Sequence, residues 1–228
     1  MSYLTLDPAE IVGTIERLGR RIEERFPGSG LGKVCGQLLA TARLGSERAA
    51  AIARPILPLR VATVVLAVVI VAGIGLMVTQ LRPPGNFELG QFIQVLEAGI
   101  NDLVLIGAAI FFLVTAESRI KRRRALRALH ELRAIAHIID MHQLTKDPER
   151  ATGQPSTTES SPQRHLSKVE LGRYLDYCSE MLSLTGKVAA LYVQTFDDSV
   201  ALQAVNEIED LTTGLSQKIW QKMMILVA

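Results

Sequence analysis

Residues 61–81 carry no charge at all, and this run of 21 residues constrains the chain more than any other feature. It reads VATVVLAVVIVAGIGLMVTQL. Wound as a helix at 1.5 Å per residue it extends about 31 Å, one hydrocarbon thickness of a bilayer. Its richness in β-branched residues would suit a buried strand if the run were short. At this length an α-helix is the only open structure that satisfies every backbone N–H and C=O in lipid. The run is expected to be a transmembrane helix.

Immediately after it the chain has to reverse. Arg82, Pro83, Pro84, Gly85 and Asn86 cannot continue a helix, so a short outer turn is expected over 82–92. A second apolar run covers 103–116, interrupted only by Thr115, but its 14 residues are too few to cross alone. A full second crossing has to begin near Glu97 and reach 117, which brings Glu97, Asn101 and Asp102 to or inside the membrane.

Lysine and arginine set the orientation. Arg43, Arg48, Arg54 and Arg60 precede the first span, and Arg119, Lys121, Arg122, Arg123, Arg124 and Arg127 follow the second. The turn holds only Arg82. Basic flanks around a nearly neutral turn place both termini in the cytoplasm, in an inner, multi-pass membrane protein. No cleavable signal peptide is expected, since the first long apolar run begins only at Val61.

Composition matters here because it is segregated. Hydrophobic residues make up 48% and charged residues 21%, yet the apolar excess lies between 61 and 116 while the flanks are highly charged. A net charge of +2 and 5% aromatic residues argue against nucleic acid as a partner. Cys35 and Cys178 fall in cytoplasmic segments without metal-ligand spacing and read as small buried residues rather than a disulfide.

The expected fold class is all-α. A cytoplasmic N-terminal segment covers 1–58. Asp7 can cap a helix there, Pro8 suits its first position, Glu10 completes a capping-box pattern, and Ile11, Ile15, Leu18 and Ile22 form an apolar stripe. A second helix is expected from Ser29 or Leu31 to Leu44, and a third from Ser46 towards Pro55. The transmembrane hairpin covers 59–118. Without proline or glycine between Gly107 and Pro148, the second span continues as a stalk over 119–144, with Leu126, Leu129, Leu132, Ala136 and Ile139 along one side. Residues 145–167, rich in Ser, Thr and Pro, read as a flexible linker. A C-terminal αα-hairpin covers 168–228. Leu171, Leu175, Cys178, Leu182, Val188 and Tyr192 mark its first helix, and Leu202, Val205, Ile208, Leu211, Leu215 and Ile219 its second. The string FDDS at 196–199 makes the turn between them and supplies a capping aspartate.

Three polar groupings are candidates for function. Gln91, Gln94, Glu97 or Ala98, and Asn101 recur near helical spacing with Asp102 beside them, and Glu97, Asn101 and Asp102 would suit a pore mouth favouring cations. The plainer reading is an amphipathic surface helix over 88–98, with Asp102 reaching water near the outer boundary. On the stalk, with His142 nearby, His130 and His137 lie about 20° apart around the axis and Arg133 and Asp140 flank them. This is a polar seam between helices, or a pH-sensitive one. Lys121, Arg122, Arg123 and Arg124 suit anionic lipid headgroups, and positive-inside topology explains them equally well.

The string GSGLGKV at 28–34 fails as a phosphate loop. Pro27 stands where the first glycine belongs, Val34 replaces the magnesium-binding hydroxyl, and no strand precedes it. No catalytic, cofactor-binding or metal-binding constellation is legible. The expectation is a non-enzymatic two-span membrane protein without a cofactor. Its cytoplasmic helices form an assembly platform, and its partners are the lipid bilayer and a second copy or another helical protein. The alternative is an oligomeric channel or transport subunit whose second span lines the path.

Overall fold

The computed structural model describes residues 5–80, 89–146, 148 and 166–227, and among these the regular structure is entirely helical. Six helices are described: α1 Pro8–Arg25, α2 Gly30–Ala53, α3 Leu57–Gln80, α4 Leu89–Leu144, α5 Lys168–Ala190 and α6 Ser199–Val227. They divide into two compact units, one of Met1–Ala53 with Arg122–Ala228 and the other of Arg54–Lys121. Residues 82–88 of the expected outer turn and most of the expected linker lie outside the described residues, while 89–92, expected in that turn, already belong to α4.

The first unit is a helical bundle. In α1, Asp7 accepts from the Ala9 backbone N–H at 2.8 Å with Pro8 at the first position, and Ile11, Ile15, Leu18 and Ile22 are buried as their spacing predicts. The chain leaves α1 through Gly28, whose φ of 66° suits glycine, and the Glu23 carboxylate accepts its N–H.

One continuous helix, α2, replaces the two expected between 29 and 55. Gly45, expected at a break near Leu44, is buried in mid-helix instead. A Cβ there would lie 3.2 Å from the Tyr192 hydroxyl and 3.3 Å from Val188 Cγ1. The glycine serves close approach of α2 to the end of α5 and the turn after it, not a turn in α2 itself.

From Arg122 onward α4 contributes Ala125, Ala128, Leu129, Leu132, Ile135, Ala136 and Ile139 to the core, with Leu126 partly buried. Ser167 and Glu170 form a reciprocal capping box at the start of α5, with Ser167 Oγ accepting from the Glu170 N–H. Every α5 position expected inside is buried: Leu171, Leu175, Cys178, Leu182, Val188 and, just past the helix, Tyr192. In α6, Val205, Ile208, Leu215 and Ile219 are buried, but Leu202 is 48% exposed and Ala201 takes the inward place beside it. These side chains form a single core cluster. The apolar stripes of the N-terminal helices, the stalk and the C-terminal pair therefore meet within one chain.

The second unit behaves differently. Two helical stretches are long and apolar enough to cross a membrane, one ending at Leu76 and the other beginning at Gly99, and the most apolar window of each is 0% buried. No helix boundary separates residues 89–98 from the apolar run, since α4 is continuous from Leu89.

Candidate functional site

The chemistry-bearing residues concentrate on α4, and those in each unit form their own arrangements. In the second unit the focus is Glu117. Its Oε1 accepts from the Ile56 backbone N–H at 3.2 Å and pairs with Lys121 Nζ at 2.9 Å, while Oε2 pairs with Arg60 Nε at 3.1 Å. Ile56 immediately precedes α3, and its carbonyl accepts from Leu59 and Arg60. The carboxylate thus sits at the N-terminus of α3, where the helix dipole favours an anion, and ties that end to α4. With only 16% of its side chain exposed it is well shielded from water. Glu117 is not among the residues that the sequence pattern singles out. Its spacing of four from Lys121 is legible, but nothing local points to Ile56 and Arg60 across the apolar runs.

Glu97, Asn101 and Asp102 are all exposed on α4, and their side chains make no hydrogen bond or ion pair among the described residues. They share a helix without forming a closed cluster.

The basic run is split by its partners. Lys121 is 12% exposed and committed to Glu117. In the first unit, Arg122 grips Asp198, with Nε donating at 2.8 and 3.0 Å and a terminal nitrogen at 2.7 Å. Arg123 and Arg124 are exposed. Asp198 is 4% exposed at its side chain and also accepts from the Ala201 N–H, capping α6. Burial works against its charge, but Arg122 and the backbone N–H groups of Ala201 and Val200 hold the carboxyl below its ordinary range.

The expected seam on the stalk is not a buried one. His130 and His137 lie on the exposed side of α4, Arg133 pairs with Glu207 of α6, and Asp140 accepts from Gln143 at 2.6 Å. His130 and Arg133 face a groove of about 250 Å³ between α4 and α6, lined also by Leu129, Gln203, Glu207 and Ile208. Because Glu207 already neutralises Arg133, the groove offers an anion little.

The histidine that packs is His142, at the C-terminal end of that grouping. Its Nδ1 lies 3.4 Å from the Tyr174 hydroxyl, and its Cε1 lies 2.6 Å from where a Cβ on Gly30 would be. Burial, reinforced by Lys146, pushes its pKa below the ordinary histidine value. The turn into α2 thus gives room to this ring.

Both cysteines are buried, and burial pushes the thiols up to about 11 for Cys35 and about 12 for Cys178. Thiols so far from ionisation are poor nucleophiles at neutral pH. Among the described residues no group of three or more His, Cys, Asp or Glu is arranged to hold a metal. No family model, curated protein or solved structure matches the chain.

Proposed function

We propose that this chain is a non-enzymatic two-span protein of the inner membrane, with both ends in the cytoplasm and its helical bundle serving there as an assembly platform. A contrast in burial carries the reading. The bundle closes its apolar side chains on one another, whereas α3 and the apolar part of α4 leave theirs uncovered. Val64, Val71, Leu76, Leu103, Phe111 and Phe112 are 61–71% exposed. Continuous apolar surface on helices of spanning length suits lipid and does not suit water. The basic flanks and nearly neutral turn support the orientation.

The closed core also moves the partner surface. The stripes of α1, α4 and α6 need no second chain, so self-association falls to side chains that remain exposed: the two spans, and Met141, Leu144, Trp220 and Met224 in the bundle. A channel reading keeps one specific support, the exposed Glu97, Asn101 and Asp102 on α4. It needs enough copies to enclose a path, four or more, and Asp102→Asn would then alter ion flux in liposomes.

Two measurements on the full chain test the proposal. In sealed right-side-out vesicles, an impermeant thiol reagent should label Gly85→Cys and spare cysteines placed at Ser2 or Ala228. The reverse pattern, or labelling of all three, overturns the topology. In nanodiscs the lipid-corrected mass should correspond to more than one copy, and a single chain per particle overturns self-association.

A further inference from the structure

We infer that the Asn101–Asp102 face of α4 is where a second copy of this chain docks within the membrane, an inference that rests on the two-span reading. The Glu117 clasp supplies a measure of depth. Arg60, Glu117 and Lys121 are charged and joined to one another, so they mark the inner edge of the hydrocarbon. From that level α4 runs as one unbroken helix back to Leu89. Glu97 is twenty residues before Glu117, about 30 Å along the axis, and so reaches the outer edge of a hydrocarbon layer about 30 Å thick. Asp102 is only fifteen residues away, about 22 Å, and Asn101 sixteen, about 24 Å.

Both therefore lie inside the hydrocarbon, Asp102 by about 8 Å and Asn101 by about 6 Å. Tilt shortens the vertical rise and puts them deeper. Side chains on α4 lean towards its N-terminus, which is the outer end, and this recovers part of the distance. The long stems of lysine and arginine snorkel over such gaps, but aspartate and asparagine are too short to close this one. Both side chains are exposed on the chain and have no hydrogen bond within it among the described residues. Polar groups left facing lipid in this way are costly, and in membrane proteins they turn towards other protein.

A second copy is the occupant that the chemistry fits. An amide donates and accepts, so Asn101 of one chain satisfies Asn101 of another, or donates to its Asp102. Contacts of a residue with its own equivalent are what a two-fold interface provides. On the same side of the helix, one and two turns towards the clasp, are Leu105 and Ala108, apolar residues that offer packing without competing polar groups.

The test compares the intact chain with the double variant Asn101→Leu/Asp102→Leu in nanodiscs of fixed composition. The wild type should show two or more copies per particle and the variant one. A second experiment needs no change of assembly: Asn101→Cys should form a disulfide-linked dimer on mild oxidation, and Leu103→Cys, which points away from this side, should not. Cys35 and Cys178 are buried and leave the readout to the introduced thiol. A variant that assembles like the wild type, or equal cross-linking at both positions, overturns the docking face and leaves the platform reading intact. A wild type that is a single chain overturns both.

Discussion

Asp198 shows how much one carboxylate can join: it caps α6 through the Ala201 N–H and holds Arg122 of α4 from a nearly buried position. Asp198→Ala should lower the unfolding free energy of the bundle by about 1–3 kcal/mol, since the cap alone contributes about 1 kcal/mol and Arg122 loses its partner. Asp198→Asn should recover the capping part but not the ion pair. Chemical denaturation of the three proteins side by side gives the comparison, and equal stability of the alanine and asparagine variants would contradict it. His142 titrates in the opposite context. Its folded pKa lies below the ordinary value, so the unfolded chain takes up a proton that the folded chain resists. The stability associated with neutral His142 is present above about pH 6.5 and declines as pH falls from there towards the folded pKa. His142→Phe should flatten the midpoint-against-pH curve between pH 5 and 7, and an unchanged slope would remove His142 as its source.

Among the elements, α1 and α2 make an instructive pair. In α1 an aspartate cap, a proline and four apolar residues at helical spacing produce the helix and its buried side together, so local information suffices. In α2 the Leu44–Gly45–Ser46 sequence looks like an interruption, because glycine and serine favour turns. The helix continues because Gly45 lets it approach Val188 and Tyr192, both fully buried. Gly45→Val should therefore destabilise the bundle by about 1–3 kcal/mol through overpacking, despite removing a poor helix former. A thermal midpoint equal to the wild type would show that the contact can relax. Helix α4 was legible throughout its apolar run and stalk, since nothing between Gly107 and Leu144 can break it. The Ser167–Glu170 capping box was missed, although S-x-x-E is a helix-start pattern, because Ser167 closes a Ser/Thr/Pro-rich stretch that reads as linker.

In the whole molecule, the bundle is built from segments far apart in the chain: α1 and α2, the stalk part of α4, and α5 with α6 around one core. Arg21 to Glu180, Arg48 to Glu131 and Arg133 to Glu207 link its helices around the outside. Such exposed pairs contribute little individually, so the core carries the stability. Removing 168–228 should uncover Leu129, Leu132, Ile135 and Ile139 and collapse the fold of the remaining bundle. Loss of cooperative unfolding and rapid proteolysis between 8 and 53 would be the result, and a truncated protein that keeps both properties would contradict a shared core.

The sequence by itself determined the all-helical class, the two apolar helices, the inward stripes of α1, the stalk and α5, the cap at Asp7 and the presence of a capping aspartate in the FDDS turn, with the choice of Asp198 left to the structure. Those features follow from periodicity, charge and the needs of backbone groups, which act over a few neighbouring residues. Tertiary structure alone decided that the stripes close on one another, that Gly45 is a contact, and that His130 and His137 stay outside while His142 packs. It also decided that Asp198 engages Arg122 and that Arg60 and the Ile56 N–H join Lys121 on Glu117, leaving Arg123 and Arg124 exposed. These depend on which surfaces meet across long stretches of chain, and a helix with two polar sides does not say in advance which one will be covered.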